Sequence, residues 1–314
     1  MSPVVLSRVA ESIFWIGRYI ERGEGTARIL DVMVHHTLEG RGSDASSAAA
    51  RLLAVMGLPV PDGPADLWEV TERLAHDPAN RASIAGSLAA ARDNARAIRH
   101  AIPVELWERI NATWVALPAE WELSRRSGPG TYLAFVKNQT AAITGLADTT
   151  MSRDQTWTFF TLGRSLERVD VVARQLASLP VADLVESGLV TLLRSCGGYE
   201  PYLRQAHGLV VADGVVDFLL RDRLFPRSAF ASLATAEGCL DDLRTGPVDQ
   251  WDEARGMIGL ARAELEYSAP RTLLVGLGDR LRRLQATCSE ASEAVTRRYF
   301  ANELPVQWRQ ETSW

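Results

Sequence analysis

IFWIGRYIERGEGTAR at 13–28 and FFTLGRSLERVDVVAR at 159–174 align without a gap at an offset of 146 residues. Gly17, Arg18, Glu21, Arg22, Ala27 and Arg28 of the first fall on Gly163, Arg164, Glu167, Arg168, Ala173 and Arg174 of the second. In both stretches apolar residues recur every three or four positions, the period of an α-helix, with none of the alternation a half-buried strand requires. Self-similarity at a fixed offset is the mark of a duplicated unit. A second match at nearly the same offset, SIAGSL at 83–88 with SAFASL at 228–233, extends it, each copy following an arginine-bearing turn (ANRAS and FPRS). The expectation is an all-α helical bundle in a single domain, 1–314, made of two related halves at about 1–126 and about 150–314. A pseudo-twofold arrangement of the halves would bring the two Gly-Arg-x-x-Glu-Arg helices towards each other.

The remainder of the chain fits this reading. Helical periodicity predicts helices over 5–37, 82–101, 155–178, 250–267 and 272–301. Glycine and proline mark breaks at 40–47 (GRGSDASS), 59–64 (PVPDGP), 127–130 (SGPG) and 197–201. Two glycines, Gly23 and Gly25, stand inside the first signature helix. Interior glycine costs about 1 kcal/mol against alanine, so these positions predict a bend or a close approach of another group.

The charged residues of the signature carry the functional question. At about 100° per residue, Ser7, Glu11, Arg18, Glu21, Arg22 and Gly25 share one narrow arc of the first helix. The other faces hold Ile13, Trp15, Ile16, Tyr19, Ile20 and Leu30, leaving no broad polar surface. The corresponding stripe of the second copy is Arg153, Trp157, Phe160, Arg164, Glu167 and Arg168, with Arg174 at its margin. Such stripes are expected to be partly buried or to line a cleft. Glu21 stands three residues after Arg18 and Glu167 three after Arg164, so pairing within each helix is geometrically easy. One reading makes these ion pairs at a helix interface that fix the register of the halves. The other makes Arg18, Glu21, Arg22, Arg164, Glu167, Arg168 and Arg174 a ligand-binding set, its guanidinium forks offering paired donors to a carboxylate or phosphate. Glu21 and Glu167 are weak catalytic candidates, because neighbouring arginines lower a carboxylate pKa and a general acid needs it raised. A further row, Arg92, Arg96 and Arg99 with Asn94 and His100 nearby, either extends an anion site or is a solvated face.

Composition narrows the classes. With 39 acidic against 34 basic residues and a net charge of −5, the chain lacks the basic footprint of a nucleic-acid binder. Lys137 is the sole lysine, and the excess of arginine over lysine reflects either selection for forked contacts or a GC-rich coding bias. Cys196, Cys239 and Cys288 are odd in number and widely spaced, which indicates neither a disulfide scaffold nor a metal site. Arg8, Glu11, Arg18 and Glu21 interrupt the apolar N-terminal stretch, against a signal peptide or membrane span. The expected location is the cytoplasm. No Gly-rich phosphate loop, HExxH motif, GxSxG elbow or Cys/His nucleophile pair is present, and no cofactor is expected. Trp308 and Trp314, in ELPVQWRQETSW, mark either a partner surface or a loose tail.

LSRVAESIFWIGRYIERGEGTARILDV at 6–32 closely resembles the opening signature of the alpha-E family, bacterial helical proteins of unknown function. LWERIN at 106–111, WTFFTLGRSLERVDVVARQL at 157–176, FLLRDRLFPRS at 218–228, ARAELEY at 261–267 and AVTRRYF at 294–300 continue the resemblance over the full length. One departure is ANRAS at 79–83, where the family shows an Asn-Pro-Arg-Ser-like turn, and it loosens any transfer of function to Arg81. The resemblance implies partners. Family members are typically encoded beside, or fused to, an ATP-grasp protein, often with a transglutaminase-like protease. That implies an accessory role in ATP-dependent amide- or peptide-bond formation, with the Glu/Arg stripe binding the ligase or an anionic, peptide-like substrate. The alternatives are an enzyme in its own right, modifying or transferring an acyl or peptidyl group, and a scaffold without a ligand.

Overall fold

The computed structural model describes residues 6–38, 45–178, 186–244, 252–268 and 273–300. Every regular element among them is helical: α1 (Ser7–Leu38), α2 (Ala45–Val55), α3 (Leu67–Ala75), α4 (Ile84–Ala97), α5 (Val104–Ser127), α6 (Pro129–Thr150), α7 (Gln155–Ala177), α8 (Glu186–Cys196), α9 (Tyr199–Gln205), α10 (Ala212–Arg221), α11 (Ala229–Asp242), α12 (Glu253–Tyr267), α13 (Leu277–Val295) and a π-helical turn, Thr296–Phe300. No helix among them is long and apolar enough to cross a membrane.

α1 and α7 form the axis of the bundle. α1 packs on α7, α4 and α6, and α7 packs on α1, α11 and α13. Both are enclosed on most sides, which accounts for their nearly continuous apolar character. What sets their spacing is a pair of glycines. A Cβ on Gly17 would lie 2.2 Å from the Phe160 carbonyl oxygen, and one on Gly163 would lie 2.1 Å from the Phe14 carbonyl oxygen. The backbones therefore touch where both sequences have glycine, and Phe14 and Phe160 are fully buried there.

The predicted helices over 82–101, 155–178 and 250–267 correspond to α4, α7 and α12, with ends differing by a few residues. α1 runs as one continuous helix through Gly23 and Gly25, with no break at either. Gly25 is instead a close approach, its absent Cβ replaced by Val171 methyls at 2.7 Å, whereas a Cβ on Gly23 would make ordinary contact with Leu88 at 3.6 Å. The predicted break at 197–201 is shorter than expected, because α9 begins at Tyr199 and places Pro201 in its first turn, where a missing N–H has no partner to lose. The predicted helix 272–301 opens with a turn before α13, and the left-handed Gly276 (φ 67°) starts the helix itself. Trp308 and Trp314 lie outside the described residues.

The two arginine-bearing turns cap their helices alike. Ser83 Oγ accepts from Gly86 N at 2.9 Å and donates to the Asp77 carbonyl; Ser228 Oγ accepts from Ala231 N at 3.0 Å and donates to the Asp222 carbonyl. A serine N-cap fixes where each helix starts, and hence where Arg81 and Arg227 are presented over α1.

Candidate functional site: a double glutamate-arginine clasp

The two charged stripes meet across the α1–α7 contact, and their pairing runs between the helices instead of within each one. Glu167 is 1% exposed and accepts from Arg18 Nε at 2.8 Å, Arg22 Nε at 2.5 Å and Arg22 Nη2 at 2.9 Å. Glu21, also 1% exposed, accepts from Arg168 Nε at 2.9 Å, Arg168 Nη2 at 2.6 Å and Arg227 Nη1 at 3.1 Å. Close contact at Gly17 and Gly163 is what lets a glutamate on one helix reach arginines on the other. The intrahelical pairs that do form lie one turn further on, Arg28 Nε to Glu24 at 2.9 Å and Arg174 Nε to Asp170 at 2.7 Å.

Electrostatics follow from this. Burial alone pushes Glu21 upward, but Arg168 and Arg227 outweigh it and hold the carboxyl at about 2. Burial opposes Arg22 and Arg18 in the same way at Glu167, which also settles at about 2. Two carboxylates permanently ionised near neutral pH are anchors for cations, and general-acid work is closed to them. Asp170 differs. Burial pushes its carboxyl up, against the pull of Arg174 and with Glu167 adding to the rise.

Of the remaining residues in the expected set, Arg164 does not join Glu21. Its guanidinium stands 3.6 Å from Asp148 Oδ2, while Nε and Nη1 are buried without a hydrogen bond among the described residues. Burial and the neighbouring Arg168 lower its pKa. Arg174, besides pairing with Asp170, donates Nη1 to the Val55 carbonyl. The Arg92 row is separate from the clasp: Arg92 lies over the Trp114 ring at 4.3 Å and donates to Asn111 at 3.0 Å, and Arg96 and Arg99 are exposed.

Two cavities adjoin the clasp. An open cleft of about 560 Å3 lies between α1 and the end of α13, walled by Trp15, Arg18, Tyr19, Arg22, Ser292 and Arg297. Trp15 and Tyr19 stack at 5.4 Å, with the Arg18 guanidinium 5.5 Å over one ring and the Arg22 guanidinium 5.5 Å over the other. Arg297 sits in the π-helical turn, an irregularity frequent at functional sites. The second cavity, about 190 Å3, is also bordered by Arg22 and lies against Glu167, Asp170 and Arg174.

The Glu21-Arg22 and Glu167-Arg168 dipeptides thus form the centre of the molecule, and residues 5–300 match the profile of Alpha-E, described as a predicted alpha-helical domain with a conserved ER motif. The chain belongs to the Alpha-E family. Uncharacterized proteins of Mycobacterium bovis and Mycobacterium tuberculosis are 27% identical over 277 residues, covering 75% of this chain. The chain spans only 30% of the length of those relatives. No solved structure matches.

Several residues of this Alpha-E site were not singled out in the sequence. Glu24 and Asp170 fall at the same offset of 146, and that regularity is the signal that could have found them; Arg81 and Arg227, carried by the two arginine-bearing turns, share it. Arg297 had none, since it enters the site only through packing. The three cysteines are buried and unpaired, and burial raises the Cys196 and Cys239 thiols to about 12, far from a reactive thiolate.

Proposed function

We propose that this Alpha-E chain is a ligand-binding accessory protein of an amide- or peptide-bond-forming pathway, in which an ATP-grasp-type ligase performs the chemistry. The cleft beside α1 holds an anionic group of a peptide-like substrate. The observation that carries this is the cleft itself: Arg18, Arg22 and Arg297 line it beside the stacked Trp15 and Tyr19. Among the described residues Arg18 donates only through Nε, which leaves its terminal nitrogens for a carboxylate. Glu167 orients Arg18 and Arg22, Arg297 is paired with Glu253 at 2.9 Å, and the aromatic faces suit a flat amide. The low pKa of both glutamates weighs against an enzyme that uses Glu21 or Glu167 as acid or base.

The same proposal takes the chain as a duplicated unit of two pseudo-twofold related halves. Supporting it are the reciprocal Gly17–Phe160 and Gly163–Phe14 contacts, the reciprocal Arg22–Glu167 and Arg168–Glu21 pairs, and the matching serine caps. A scaffold reading is favoured by one fact, that each glutamate is already engaged by two arginines.

Calorimetric titration with a diglutamyl peptide separates these readings. Binding to wild type that weakens on the order of tenfold in Arg297→Ala, with melting temperature unchanged, is the expected result. No saturable binding to wild type would leave the scaffold.

A further inference from the structure

Glu24 and Asp170 occupy corresponding places, each one turn beyond its clasp glutamate, yet they are served differently. Glu24 accepts from two guanidinium groups, Arg28 Nε at 2.9 Å and Arg227 Nη2, and Arg227 also reaches Glu21 at 3.1 Å. Arg227 therefore bridges the two carboxylates of α1. On α7 the bridge is missing. Asp170 accepts from Arg174 alone, through Oδ2 at 2.7 Å, and among the described residues its Oδ1 has no donor. The arginine placed to supply one, Arg81, instead donates to the Tyr19 hydroxyl at 2.7 Å and lies 5.8 Å over that ring. Two sequence differences account for this. Ala82 separates Arg81 from the capping Ser83, whereas Arg227 directly precedes Ser228, and the position corresponding to Tyr19 is Ser165, which offers Arg227 no ring.

The place a bridging guanidinium would fill between Glu167 and Asp170 is the 190 Å3 cavity, whose apolar wall is Ile29, Met56 and Val171. We infer that this cavity is a binding site for a guanidinium or alkylammonium group carried on a short hydrocarbon stem. The cation takes the part on α7 that Arg227 takes on α1, bonding Asp170 Oδ1 and the rim of Glu167, with the stem against the apolar wall. Arg22 and Arg174 also line the cavity, but each is turned onto a carboxylate, Arg22 with both its bonds on Glu167 and Arg174 on Asp170. Asp170 is 9% exposed, and burial leaves its charge short of compensation, consistent with its raised pKa. A cation there restores the balance that Glu24 already has. This site differs from the anion cleft: the two share only Arg22 among their lining residues, and it selects the opposite charge.

The test is calorimetric or NMR titration of the full chain with ethylguanidinium, with acetate as the charge-reversed control. The expected result is saturable binding of ethylguanidinium and none of acetate at this cavity, with resonances of Ile29, Met56 and Val171 shifting. Asp170→Asn should weaken binding on the order of tenfold or more, the loss of one charge-assisted bond, while Arg81→Ala should bind as wild type does. Met56→Trp, which fills the cavity from its rim without altering a charge, should abolish binding and serves if Asp170→Asn does not fold. Absence of saturable binding to wild type, equal affinity in Asp170→Asn, or retained binding in Met56→Trp would each overturn the inference.

Discussion

Glu21 and Glu167 receive the same number of guanidinium hydrogen bonds by different means. Each accepts three from two arginines, and one donor pair corresponds across the offset, Arg168 on Glu21 and Arg22 on Glu167. The third donor does not. Glu167 takes Arg18 from α1, while Glu21 takes Arg227 from the turn before α11. Each side then has one arginine left over: Arg164, drawn 3.6 Å from Asp148, and Arg81, held by Tyr19. Buried carboxylates demand full compensation, and the difference teaches that the demand can be met by whichever guanidinium the surrounding helices deliver. The side with a spare carboxylate oxygen, at Asp170, is also the side with the 190 Å3 cavity.

Removing a clasp glutamate tests the comparison most strongly. Glu167→Ala leaves Arg18 and Arg22 without their anion and should cost about 3–5 kcal/mol, measured by urea unfolding. Glu21→Ala should cost a similar amount. If only one of the two destabilised the chain, the clasps would not be equivalent supports.

The second test uses pH. Both carboxyls titrate at about 2 in the fold against an ordinary 4.5. Groups with depressed pKa contribute stability that is complete above the unfolded value and is lost as pH falls through the folded one. Melting temperature should therefore decline between about pH 5 and pH 2. A Glu21→Gln, Glu167→Gln variant, if folded, should show a flatter decline over that window, and an unchanged slope would remove the clasp as its cause.

Smaller effects sharpen the comparison at the helix crossing. Gly17→Ala and Gly163→Ala each drive a methyl into a carbonyl oxygen and should cost about 1–3 kcal/mol, as overpacking does, with equal losses expected from equal geometry. Gly23→Ala, which meets only Leu88 at 3.6 Å, should instead stabilise by about 1 kcal/mol. Thermal melts that placed Gly17 and Gly23 on the same side of zero would contradict the close approach. Smallest of all, Tyr19→Phe frees Arg81 for a loss of about 0.5–1.5 kcal/mol, offset to the extent that Arg81 then reaches Asp170.

Much of the helical framework was legible in the residues because apolar spacing reports burial one helix at a time. Gly17 and Gly163 were visible as a matched pair, and so were the Glu-Arg dipeptides. The partners of those dipeptides were not. Spacing of three residues made Arg18–Glu21 and Arg164–Glu167 the obvious pairs, but the close crossing of α1 and α7 brought Glu167 to Arg18 and Arg22, and Arg168 to Glu21. An inter-helix distance set by an absent Cβ has no signature in either helix alone. Arg297 escaped for a related reason, since its role comes from neighbours far away in the chain.

The sequence by itself determined an all-helical chain of the Alpha-E family, with two glycine-arginine-glutamate helices and charged residues on their apolar surfaces. Periodicity and the offset of 146 carry that much, because they are properties of single helices and of copies compared with one another. Only the tertiary structure decided which arginine serves which carboxylate. Burial removes water as an alternative partner, so each charge must find its counterpart among whatever side chains the packing places within reach. Arg227 found Glu24, and Arg81 found Tyr19, leaving Asp170 with a single guanidinium and a cavity beside it.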